Sequence, residues 1–296
     1  MQYKSRSFSL LALVTLFVFM TGFSTENKQI KATWIWHTNL IASEPDQIIS
    51  FSKEQGVNLL YLQMDLSQKP EYYRPFIRKA SEAGIDVHAL GGSPQWGLEA
   101  NRPRILALVD WVLAYNQTAG EEEKFSGVHL DIEPYLLPQW KTDQASVVRQ
   151  WKENVEAYTT HVQKDPRLEI GCDIPFWLDK VYLPDEAEPA TAFSKWLISK
   201  HDHVTIMSYR DRVEGPNSIT ALVTEEMGWA DELGKSILLA VETKESHEGN
   251  HISFYEEGKR YMSLMLSRLS DLMSVHPSFK GTAIHSYEHW AVLKEE

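Results

Sequence analysis

Eight short β-rich runs recur along this chain, at 33–37, 57–65, 85–91, 125–133, 168–173, 203–209, 236–242 and 279–287, and in several of them apolar and polar residues alternate. Alternation with a period of two predicts strands that bury one face. Between them, apolar residues recur at helical spacing near 45–55, 71–83, 102–116, 143–164, 190–200, 219–233 and 253–275, which predicts amphipathic helices. Gly56, Gly84 and Gly234 each stand at the end of one of these segments, just before the next strand. A residue able to adopt the left-handed conformation ends a helix at such a place.

Spacings of roughly 25–45 residues match a β-strand with its crossover helix. Eight such units predict an α/β fold, a closed (β/α)8 TIM barrel in preference to an open doubly wound sheet. Few residues follow Trp290, so the eighth helix is expected to be truncated or missing. No G-x-G-x-x-G or G-x-x-x-x-G-K-[ST] run follows any strand, which removes support for nucleotide binding.

The stretch from Phe125 to Tyr135 carries the most chemistry. Val128, Leu130 and Ile132 lie on one face, suited to burial under helices, while Gly127, His129, Asp131 and Glu133 lie on the other. Pro134 stops the strand. The same parity recurs elsewhere: Leu60, Leu62 and Met64 alternate with Tyr61, Gln63 and Asp65, and Leu168, Ile170 and Cys172 alternate with Glu169, Gly171 and Asp173. Strand ends of a (β/α)8 barrel converge on one mouth. Trp36, Gln63, Asp65, Asp131, Glu133, Asp173, Tyr209, Glu242, His285 and Tyr287 are therefore expected to meet there, with Gly91 and Gly92 beside them.

Charge and composition narrow the partners. Lys4 and Arg6 precede an apolar run from Leu10 to Met20, then Gly22 and Ser24. This is the layout of a secretory signal peptide over 1–24, leaving 25–296 as a single barrel domain. The apolar run is short of the roughly 20 residues of a membrane span, so no stable membrane insertion is expected after cleavage. Removing Lys4 and Arg6 takes the formal charge from -12 to -14. Such an acidic protein repels nucleic acid. Cys172 is the only cysteine, which excludes a disulfide framework and fits export to a bacterial envelope or medium.

Asp131 and Glu133, two apart on one strand face, have Cα atoms roughly 6.5–7 Å apart. One carboxylate disfavours ionisation of its neighbour, which suits one of the pair to act as an acid. Trp96, Trp140, Trp177 and Trp290 follow strands three, four, five and eight and offer flat apolar platforms, while Trp34, Trp111, Trp151 and Trp196 are expected in the core. The pattern suits a carbohydrate substrate. His37, His88, His129 and His285 with Asp65, Asp131 and Asp173 offer zinc or manganese ligands. Neither H-x-H on strand one nor H-E-x-x-H is present, so no metal and no cofactor is expected. A metal-dependent hydrolase or deacetylase and a non-catalytic carbohydrate-binding barrel are the alternative readings.

The run Gly127-Val128-His129-Leu130-Asp131-Ile132-Glu133 resembles the fourth-strand signature of family 18 chitinases, D-G-x-D-x-D-x-E, and Met207-Ser208-Tyr209-Arg210 resembles their M-x-Y-D. Ser126, His129 and Arg210 stand where that family has Asp. The resemblance implies a glycosidase with Glu133 as general acid, Asp131 orienting the substrate's N-acetyl group and Tyr209 as its hydrogen-bond partner. Ile132-Glu133-Pro134 and Val241-Glu242-Thr243 also resemble the retaining barrel glycosidases with an acid after strand four and a nucleophile after strand seven. That likeness implies Glu242 as a further catalytic carboxylate. Trp36, Gln63, Asp65, Asp173, Trp177, Arg210, His285 and Tyr287 complete the expected substrate-binding set.

Overall fold

In the computed structural model, which describes residues 29–184 and 191–296, the chain closes into an eight-stranded parallel barrel. The strands are β1 (Ile30–Ile35), β2 (Leu59–Gln63), β3 (Asp86–Gly91), β4 (Gly127–Leu130), β5 (Glu169–Pro175), β6 (His203–Met207), β7 (Ser236–Glu242) and β8 (Phe279–His285). Each pairs with its sequence neighbours, and β8 returns to β1 through Ala32 opposite Ala283. The main covering helices are Pro45–Gln55, Pro70–Glu82, Arg102–Thr118, Gln144–Val162, Phe193–Lys200, Thr224–Leu233 and Lys259–Met273. After β8 a single turn, Tyr287–Trp290, stands where an eighth helix would.

Local chemistry sets the helix boundaries. Pro45 opens the first long helix, where a missing N–H costs nothing, and Gly56 ends it at φ +71. Asp143 accepts a hydrogen bond from the Ser146 N–H and caps the longest helix. Outward-facing strand residues such as Leu62, Val128, Leu130, Ile170 and Cys172 pack under the helices. Burying each large aliphatic side chain there stabilises the fold by about 1.5–3 kcal/mol.

The barrel interior is mixed. Trp34, Tyr61 and Leu90 share it with buried His88, His129, Asp173, His203 and Thr205. Tyr61 and Thr205 satisfy one another across it, hydroxyl to hydroxyl at 3.1 Å. These polar groups occupy the inward parity that the sequence assigns them.

Several boundaries differ from the expected ones. β1 stops at Ile35 and β4 at Leu130, so Asp131 and Glu133 lie on the connection beyond the strand. Asp131 still donates its N–H to the Gly91 carbonyl at 3.0 Å. Pro134 then starts a short 3-10 turn, Pro134–Leu136. The expected helix over 190–200 begins at Phe193, and its predicted first residue, Ala190, lies outside the described residues, as does the whole of 1–24. Among the described residues no helix is long and apolar enough to cross a membrane.

Candidate active site

The C-terminal mouth of the barrel holds a cavity of about 530 Å³. Trp34 and Trp36 from β1 and its end, Asp131 and Glu133 after β4, Asp173 from β5, Tyr209 after β6 and His285 from β8 line it. Residues from distant parts of the chain meet because parallel strands all deliver their C-terminal ends to one rim.

Three carboxyl groups crowd one side. Asp173 is buried and binds at both oxygens: Trp34 Nε1 donates to Oδ2 at 3.2 Å, and His129 Nε2 lies 2.9 Å from Oδ1. Burial pushes its pKa well above the ordinary value; the Trp34 hydrogen bond works against this and the Glu133 charge adds to it. Asp131 is likewise raised well above the usual carboxylate range, by burial first and then by the charges of Asp173 and Glu133. Its Oδ1 is buried with no hydrogen-bond partner among the described residues. Glu133 accepts a hydrogen bond from the Tyr135 hydroxyl and pairs with neither His129 nor Arg210. The Tyr135 ring meets Trp177 edge-on at 4.9 Å and Trp140 at 6.2 Å, so both tryptophans buttress the group that holds Glu133.

The opposite wall is a hydrogen-bonded chain. Trp36 Nε1 donates to His285 Nε2 at 2.9 Å, which leaves the imidazole proton on Nδ1, 2.9 Å from Glu242 Oε2. Glu242 Oε1 accepts the backbone N–H groups of Thr243 and Lys244, both at 2.8 Å. Burial works to raise the Glu242 pKa, but His285 and these two N–H groups outweigh it and hold it below the ordinary value. Tyr209 is pushed well up, by burial and then by the Glu242 charge.

Glu242 does not line the cavity; His285 does, and presents the other end of the pair. Gln63 and Asp65 also stand apart, because the chain turns as soon as β2 ends. Gln63 donates to the Met64 carbonyl, and Asp65 is taken up by Ser67 and Gln68 within its own turn. Arg210 turns away from the mouth to bind the Tyr209 carbonyl and Asn217, with its guanidinium 5.1 Å from the Phe176 ring centre. Tyr287 is buried in the outer layer against Phe51, in the same packing as Trp290. Trp96 packs into that outer layer as well. The polar loop 243–251 contributes Lys244 to the rim.

Trp34 is the reverse case. Expected in the core, it lies inside the barrel and forms part of the cavity floor. Its parity with Trp36 on β1 carries that information. Tyr135, Glu288 and His289 carry no comparable signal, being loop and turn residues; Glu288 accepts the backbone N–H groups of Trp36 and His37 and so fixes the rim. The histidines weighed as metal ligands separate: His37 lies at the rim beside Glu288, His285 pairs with Glu242, and His88 and His129 lie deeper in the barrel with His203.

No family model and no curated protein matches the sequence. Solved structures do match the fold. A chitinase from Chromobacterium violaceum aligns with TM-score 0.55 at 12% identity, covering 90% of this chain and 98% of that one. A mutant family 18 chitinase from Cycas revoluta, solved with (GlcNAc)4, gives TM-score 0.55 at 12% identity over 88% of this chain and 95% of that one. The spore cortex-lytic enzyme of Bacillus megaterium gives 0.55 at 11% identity over 90% and 73%. The chain has the (β/α)8 barrel fold of these chitinase-like proteins, with a widely divergent sequence.

Proposed function

We propose that this protein is an exported glycoside hydrolase acting on an N-acetylated glycan, a chitin-like or cell-wall polymer. Glu133 is the general acid that protonates the leaving glycosidic oxygen. Asp131 and Tyr209 hold the substrate's acetamide so that its own carbonyl oxygen attacks the anomeric carbon. Asp173 neighbours Asp131 and stands in for the strand-four carboxylate that His129 replaces. Trp34 and Trp36 supply the apolar platform under the sugar.

One observation carries this reading. Glu133 and Asp131 line one cavity; among the described residues Glu133 has no cationic partner, and one buried oxygen of Asp131 has no hydrogen-bond partner. An acid for the leaving group and a carboxyl that awaits a donor are what substrate-assisted hydrolysis needs. The N–H of a bound acetamide is a donor of the right kind. Substrate assistance is favoured over a protein nucleophile because both Glu242 oxygens are engaged, by His285 and by two backbone N–H groups.

The test is turnover of N-acetylglucosamine oligomers and of purified peptidoglycan by the mature chain and by Glu133→Gln. Removing a general acid costs about 10²–10⁴-fold in rate. A wild-type protein inert on every N-acetylated glycan, yet retaining them, would make it a binding barrel instead.

A further inference from the structure

Below the mouth, three buried histidines converge inside the barrel. One ring nitrogen from each of His88, His129 and His203 lies within 4.8 Å of the other two. They come from β3, β4 and β6, and glycine separates them in register: His88 is opposite Gly127, His129 is opposite Gly171, and Gly171 is opposite His203. The glycines make the convergence possible. A Cβ at Gly127 would lie 2.6 Å from the His88 ring, and one at Gly171 would lie 2.1 Å from His203 Nε2 and 2.7 Å from His129 Nδ1.

We propose that these three imidazoles form a divalent-cation site, with zinc the ion that fits the donor set. A neutral imidazole ligates through one nitrogen while the other is oriented by a carboxylate or carbonyl. One of the three rings, His129, has that arrangement, and the other two have a carboxylate nearby. His129 Nε2 is committed to Asp173 at 2.9 Å, which turns Nδ1 inward. His203 Nδ1 and His88 Nε2 each lie 3.8 Å from Glu169 Oε2. That leaves His203 Nε2, and His88 Nδ1, which is buried without a hydrogen-bond partner.

The spacing agrees. His129 Nδ1 and His203 Nε2 are 3.3 Å apart. That is long for an N–H···N hydrogen bond, yet two nitrogens each about 2.0–2.1 Å from a tetrahedral zinc are about 3.3–3.4 Å apart. The Tyr61 ring stacks on His129 at 3.8 Å and limits its rotation. An entry path exists on the side away from the catalytic mouth. A second cavity of about 500 Å³, lined by Glu169, Asp202 and His203, opens at the N-terminal end of the barrel. The site joins β3, β4 and β6 from within, so its ion stabilises the barrel.

Untagged protein is to be stripped with chelator and titrated with Zn²⁺ and, separately, Co²⁺. The expected result is roughly one tightly held equivalent of metal per chain, a melting temperature that rises on metal addition, and visible Co²⁺ absorption of a tetrahedral nitrogen-rich site. His88→Gln and His203→Gln are expected to lose the bound equivalent while keeping a native circular dichroism spectrum. Absence of stoichiometric metal and of any melting shift in the wild-type protein overturns the proposal, whatever the variants do. Metal retained in full by both folded variants overturns it too, because the ion then sits elsewhere.

Discussion

His285 stands between Glu242 and the cavity at the barrel mouth, with its Nδ1 2.9 Å from the Glu242 carboxylate and its Nε2 accepting from Trp36. The carboxylate at the end of β7 thus acts on the site through an imidazole. It orients His285, and His285 orients the Trp36 platform. Glu242→Ala is expected to lose about tenfold in kcat/KM, mostly through KM, as fits one hydrogen bond to a charged group. Steady-state kinetics on an N-acetylglucosamine oligomer checks this. Restoration of Glu242→Ala activity by azide, with a glycosyl azide as product, would instead identify Glu242 as the nucleophile.

Tyr135 binds Glu133 from the loop that follows it, braced by Trp177 and Trp140. In the proposed reaction its hydroxyl fixes the orientation of the Glu133 carboxyl group. Tyr135→Phe removes one hydrogen bond to an ionisable group, worth about 1.5–3 kcal/mol. The expected loss in kcat is about 10–100-fold, with melting temperature unchanged because the ring packing stays. Unaltered kcat would mean that Glu133 needs no such support.

How much of this arrangement is legible before folding follows from where each residue sits. Strand parity places Asp131, Glu133, Asp173, Trp36, Tyr209 and His285 correctly, because inward alternation survives to the mouth whichever residue ends the strand. It places Gln63, Asp65 and Tyr287 too generously, since each lies at or beyond the last paired residue and a local turn or the outer layer captures it. Arg210 follows Tyr209 on the opposite parity and turns outward accordingly. The Glu242–His285 pair and the three-histidine cluster depend on register between strands far apart in sequence, which alternation within one strand does not encode.

Gly92 lies against the backbone of Asp131. A Cβ added there would fall 1.8 Å from the Asp131 carbonyl oxygen and 2.6 Å from its carbon. Backbone cannot yield as a flexible side chain can, so Gly92→Ala must displace the start of the loop that follows β4. About 1–3 kcal/mol of destabilisation is expected from such overpacking, with a loss of activity that exceeds the loss of folded protein. Urea denaturation alongside kinetics separates the two. A variant with wild-type stability and rate would show that the Asp131 loop moves freely.

Glu226, on the helix Thr224–Leu233, is fully buried. Burial, reinforced by the Asp179 charge and opposed by hydrogen bonds from its own backbone and Ser194 and by Lys180, pushes its pKa up to about 7 from 4.5. Between those values the folded chain holds a proton that the unfolded chain has released, so stability falls as pH rises through this window and stays lower above it. A shift of that size corresponds to at most about 3 kcal/mol. Glu226→Gln, neutral throughout, is expected to gain on the wild type as pH rises from 5 to 8. At pH 4, where both are uncharged, the difference between them reflects only amide against acid. Unfolding free energies that run parallel for the two proteins over that range would mean that Glu226 is ionised in the native state at pH 5, with a partner that replaces water.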